Sequence, residues 1–219
     1  MEYASKGEGK SLLQMNEEAL DQFKKTFTLD SNSIEFLPAY FNIIECLFLK
    51  SNSVSDIKKY LIVGLTNLEN AQKKKDDKGY RMISGHKEKE EEKNKKLLKS
   101  RLELLFARLN LLTLDFDSAI SKLQASILSH SEIYGPESVG LTPQYFFLAE
   151  YFWNKKDKDE NDFDPEKEID KKVKVKQIFL KIADIWRPFF RDIKAHEEEN
   201  IYLLLAIGEY YIKKIMTKV

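Results

Sequence analysis

Ser33-Ile34-Glu35-Phe36-Leu37-Pro38-Ala39-Tyr40-Phe41 returns in altered form as Ser138-Val139-Gly140-Leu141-Thr142-Pro143-Gln144-Tyr145-Phe146. Serine, proline, tyrosine and phenylalanine coincide, and further on Glu45 matches Glu150. Each copy reads as the opening of a helix, with a serine able to cap and a proline early on, where a missing N–H costs least. The copies lie 105 residues apart, three periods of about 35, close to the ~34-residue period of tetratricopeptide arrays. Between them, around Leu102–Ser126, Phe116-Asp117-Ser118-Ala119 supplies the aromatic-x-x-Ala pattern that opens the second helix of such repeats.

Outward from these copies, apolar residues recur at helical spacing almost throughout. Leu12, Leu13, Ala19, Leu20, Phe23 and Phe27 fit a first helix, and Leu29–Ser33 a turn. Further helices are expected over Ile34–Leu49, Val54 to about Gln72, Leu97–Leu114, Asp117–Tyr134 (capped by Asp115 or Asp117), Ser138–Asn154, Ile169–Phe190 and Ala195–Met216. Gly135-Pro136 punctuates the middle. Two charged stretches interrupt the pattern, at about 73–96 and 155–168. They cannot bury much, so each reads as a flexible insertion or an exposed helical extension. The organisation is thus a flexible tail over 1–10 and a single helical repeat domain over 11–219. Its class is all-α, a tetratricopeptide-like solenoid of antiparallel helix pairs. Close helix crossings ask for small residues, here Gly64, Ala107 and Ala149. Phe48, Leu61, Leu123, Phe152 and Phe179 fill the large positions between them.

Composition narrows the function. Lys+Arg and Asp+Glu balance at 36 each, so no net positive field draws in nucleic acid or an acidic membrane. No stretch approaches 18 consecutive apolar residues, and residues 1–10 carry no signal-like apolar run, so a reducing, cytosol-continuous compartment is expected. The single cysteine, Cys46, excludes an intrachain disulfide and multi-cysteine zinc motifs, and its apolar helix face reads as packing. His86, His130 and His196 are scattered. The acidic run Asp157–Asp164 resembles a calcium loop but lacks its central glycine. With neither a nucleophile–base pair nor a phosphate-binding glycine loop, the chain reads as non-catalytic, without cofactor, metal or small-molecule substrate.

Ile133-Tyr134-Gly135-Pro136-Glu137-Ser138, then Pro143, Tyr145-Phe146, Leu148-Ala149 and Phe152, together with Lys181-Ile182-Ala183-Asp184-Ile185-Trp186, go beyond a generic repeat. Over roughly residues 15–190 the chain resembles the tetratricopeptide region of the axonemal zinc finger MYND domain-containing protein 12 family. The family's zinc finger needs a set of cysteine and histidine ligands that this sequence does not contain. The resemblance implies a structural adaptor of the ciliary or flagellar axoneme, in the cytoskeleton. Its implied partners are inner-arm dynein components and a subunit like tetratricopeptide repeat protein 29. The alternative of another class is a soluble chaperone- or kinesin-type cargo adaptor that binds peptide segments in its groove.

Repeat arrays bind through side chains of successive first helices. On that register the groove-facing residues are Asn42, Arg101, Arg108, Glu150 and Trp153. Phe146, Glu150 and Trp153 share one face at i, i+4, i+7, while Tyr145, Leu148, Ala149 and Phe152 face the repeat core. The first set therefore needs a cover, either a partner protein or a terminal helix. The Lys-rich stretch 73–96 reads as a solvated face rather than a tubulin-binding arm.

Overall fold

In the computed structural model, residues 34–49, 54–77, 85–155 and 165–192 are described, with isolated positions 14, 15, 17, 18, 21 and 25. The 1–10 tail, most of the first expected helix, the loop over 156–164 and the helix expected over Ala195–Met216 lie outside the described residues. Among the described residues every regular element is helical: α1 Leu37–Leu49, α2 Val54–Asp77, α3 Gly85–Leu112, α4 Phe116–Tyr134, α5 Thr142–Asn154 and α6 Pro165–Asp192. Short 3-10 turns, Ile34–Phe36 and Val139–Leu141, lead into α1 and α5. The all-α class thus holds for this part of the chain. The chain divides into two compact units, Met1–Ile133 and Tyr134–Val219.

The 105-residue interval departs from the expected three periods. It holds two helix pairs, α1–α2 and α3–α4, because α2 runs for 24 residues and α3 for 28. The charged stretch 73–96 supplies that length. Its ends continue α2 and begin α3, with residues 78–84 outside the described part. Glu and Lys favour helix, and pairs one turn apart, such as Glu91–Lys95 at 2.8 Å, add a few tenths of a kcal/mol each.

In the first unit α2 packs against both α1 and α3, and α1 also meets α3. Phe36, Leu37, Phe41, Ile43, Ile44 and Leu47 come from the first element and its lead-in. Ile57, Leu61 and Leu68 come from one face of α2, and Leu102, Leu105 and Leu109 from one face of α3. Cys46 is buried with them. Gly64 is where α2 is pinched. A Cβ there would stand 3.2 Å from Leu102 Cδ1 and 3.3 Å from Leu37 Cδ2, so the small residue is what lets three helices approach.

α3 turns its other buried side to α4, in antiparallel order. Lys96 pairs with Glu132 at 3.3 Å, Ser100 with Ser126, and Glu103 with Lys122 at 2.9 Å. The serine contact is reciprocal: Ser100 Oγ donates to the Ser126 carbonyl at 2.9 Å and Ser126 Oγ to the Ser100 carbonyl at 2.8 Å. Between the two helices the chain reverses in a Schellman motif. Asp115 N–H donates to Asn110 O at 2.8 Å and Leu114 N–H to Leu111 O at 3.3 Å, with Leu114 at φ 61°. Asp115 then caps α4 by accepting from Ser118 N–H at 3.2 Å, one of the two caps the sequence offered.

The second unit opens with Gly135 at φ 85°, a backbone conformation that favours glycine. Ser138 accepts from Gly140 N–H at 3.2 Å, and Pro143 stands in the first turn of α5. α5 therefore starts at Thr142, after the turn, rather than at Ser138. α6 returns antiparallel to α5: Trp186 Nε1 donates to Thr142 Oγ1 at 3.0 Å, Phe146 meets Phe179, and Lys174 lies over Phe152. Ala149 is fully buried at this crossing, with Val175, Ile182 and Ile185 buried on α6.

Candidate partner-binding face

The face of α1 that escapes burial carries Pro38, Asn42, Glu45 and Leu49, spaced at three and four residues as one side of a helix requires. The corresponding side of α3 carries Arg101, Leu104, Arg108 and Leu112. Two contacts join them. The Arg101 guanidinium lies over the Phe41 ring at 5.0 Å, and the Arg108 guanidinium over the Phe48 ring at 4.1 Å. Phe41 and Phe48 are seven residues apart, as are Arg101 and Arg108. The two helices therefore run parallel and in register across two rungs. Arg108 Nη1 also donates to Glu45 Oε2 at 2.5 Å.

These contacts make the face firm. Each guanidinium over a ring contributes about 0.5–1 kcal/mol at a partly exposed site. The Arg108–Glu45 pair adds at most about 1 kcal/mol, since its side chains are 23% and 43% exposed and water screens them. Arginine suits the position, because its plane can stack while its edge still donates. Beyond the second rung both helices end in exposed leucine, Leu49 and Leu112.

Of the six residues picked from sequence, Asn42, Arg101 and Arg108 lie on this one face of the first unit. Phe146, Glu150 and Trp153 lie on α5 in the second unit, and all three are half-buried. Phe146 meets the Phe179 ring edge-on, with centroids 5.6 Å apart. α6 thus supplies cover for the first member of that stripe, in place of the partner or terminal helix that the sequence left open. The core-facing set divides: Tyr145 and Ala149 are buried, and Leu148 and Phe152 are half-buried.

Sequence reasoning did not pick Phe41 and Phe48 as platforms or Glu45 as a partner. The available signal was the shared seven-residue interval. Two titratable groups elsewhere in the first unit are shifted. Burial, helped by Glu17, pushes Tyr60 up to about 12, and its hydroxyl donates to Glu17 Oε1 at 3.1 Å. Burial lowers His130 below the usual histidine range. Neither lies on the face.

Among the described residues no group of three or more His, Cys, Asp or Glu could hold a metal ion, and no helix is long and apolar enough to cross a membrane. Comparison with protein-family models, curated proteins and solved structures gives no match.

Proposed function

We propose that the chain is a non-catalytic adaptor whose helix pairs stack in tetratricopeptide fashion and offer their first helices to other proteins. The observation that carries this reading is the parallel, seven-residue register of α1 and α3, with α2 packed against both. In repeat arrays the same arrangement turns successive first helices onto one continuous binding surface. The groups on the face support holding rather than chemistry: two stacked guanidiniums, an amide at Asn42 and exposed leucines orient and bury a partner.

The setting rests on the resemblance in sequence. It makes the chain a structural component of the ciliary or flagellar axoneme. Its partners are then inner-arm dynein components and a second tetratricopeptide repeat protein, with no nucleic acid, membrane or small-molecule substrate involved. Affinity purification of the tagged chain from detergent-extracted axonemes, with mass spectrometry, tests this. The reading expects retention in the extracted axoneme and enrichment of inner-arm dynein subunits. Release of the whole pool by detergent, together with recovery of soluble cargo tails, would replace it with the chaperone- or kinesin-type adaptor.

A further inference from the structure

The two rungs that join α1 to α3 are not equivalent. On the second, Glu45 stands three residues before Phe48 and accepts from Arg108. On the first, the position three residues before Phe41 is Pro38, which has no charge to offer Arg101. Seven residues carry an α-helix to within about 20° of two full turns. Pro38 therefore occupies, one rung earlier, the place that Glu45 fills. Arg101 is exposed, and among the described residues no carboxylate pairs with it.

We infer that the Arg101 rung is a carboxylate-accepting site, filled by an acidic side chain of a partner polypeptide laid along α1 and α3. The inference rests on the adaptor reading of this face and names the chemistry of its partner. The Phe41 ring occupies the plane of the Arg101 guanidinium. The edge, with its fork of N–H donors, remains to take both oxygens of a carboxylate. Asn42, next to Phe41 and exposed, adds an amide donor beside it. Arg108 does not compete for the incoming charge, because Glu45 already neutralises it.

The exposed leucines set the rest of the ligand. From Arg101 to Leu112 the helix rises about 16 Å, the reach of about five residues of extended chain. An acidic residue over Arg101 thus places an apolar residue, about five positions on, against Leu49 and Leu112. A nucleic-acid backbone carries anions but nothing for those leucines, and the chain's net charge of zero gives it no long-range pull.

The test uses the full chain and two fluorescein-labelled Gly/Ser peptides. One carries a glutamate and, five residues on, a leucine; the other replaces the glutamate with glutamine. Fluorescence anisotropy at low salt should show the glutamate peptide binding about tenfold more tightly, the scale of a charge-assisted pair. That preference should vanish in Arg101→Gln. It should vanish equally in Pro38→Glu, which leaves the guanidinium in place and completes the rung from within. Pro38→Glu also carries the test if Arg101→Gln disturbs folding. Equal binding of the two peptides, no binding of either, or a preference that survives both substitutions overturns the inference. If axonemal partners are nevertheless retained, and retained equally by Arg101→Gln, the adaptor reading stands without it. A charge preference with no axonemal partner would instead remove the axonemal reading and keep the site.

Discussion

The two units bury their helices in different company. In the first, α2 has α1 on one side and α3 on the other, so its apolar face meets apolar side chains from two directions. In the second, α5 and α6 have each other. Their contact is built from aromatic edges, a Trp186–Thr142 hydrogen bond, and lysines laid over rings, Lys174 on Phe152 and Lys181 on Tyr145. α6 keeps Ile169, Val173 and Leu180 exposed. With i, i+4, i+11 spacing they share one side of the helix. A three-helix contact can be stabilised by volume alone. A two-helix contact has less volume to bury, and relies more on directed interactions and on side chains that lie across its edges.

That difference can be broken most forcefully at Leu61, which is fully buried on α2. Leu61→Ala should cost roughly 2–5 kcal/mol, because three packed helices leave the cavity little room to collapse. Hydrogen exchange on the full chain should place the lost protection in the first unit. Equal loss in both units would make them one cooperative body and dissolve the comparison.

A smaller effect is expected in the second unit. Ala149→Leu adds bulk where α5 and α6 cross and should cost roughly 1–3 kcal/mol. Denaturant titration beside exchange checks it. Protection should fall over Thr142–Asn154, and an unchanged midpoint would mean that the pair opens freely at this crossing.

The smallest effect is a gain. Leu114 holds a left-handed backbone at the Schellman turn with its side chain in solvent, where glycine is the usual occupant. Leu114→Gly should raise stability by roughly 0.4–1 kcal/mol, relief of strain outweighing the added freedom of the unfolded chain. A fall in the thermal midpoint would assign Leu114 a packing role that its exposure hides.

Local patterns carried most of what the sequence revealed. Pro38 and Pro143 marked helix openings, Asp115 a cap, and Gly64, Ala107 and Ala149 the tight crossings. All of these depend on neighbours a few residues away or on size at one position. The early start of α3 was less legible, because burial was taken as the sign of a helix. Residues 89–92 are exposed, and helix forms there from propensity and side-chain pairing. Half of the candidate face was legible. Arg101, Arg108 and Asn42 followed from repeat register, whereas the rings beneath the guanidiniums depend on two helices far apart in sequence lying parallel and in step. No local pattern encodes that. The cover over Phe146 was hidden for the same reason, since Phe179 belongs to the helix that returns.

The paired serines at the α3–α4 crossing have a consequence for how the chain avoids assembling wrongly. Ser100 and Ser126 each serve the other helix's carbonyl, and both side chains are buried. Sliding α4 by one turn, about 5.4 Å, would strand two hydroxyls and two carbonyls among apolar neighbours. Each stranded group would cost about 1–3 kcal/mol. Leucine-rich surfaces alone would accept such a slip at little penalty, since one leucine substitutes well for another. The serines therefore act as a vernier between the two helices. They penalise the nearest mispacked competitor more than they favour the native state, and so help hold α3 at the axial height where its arginines meet the rings of α1.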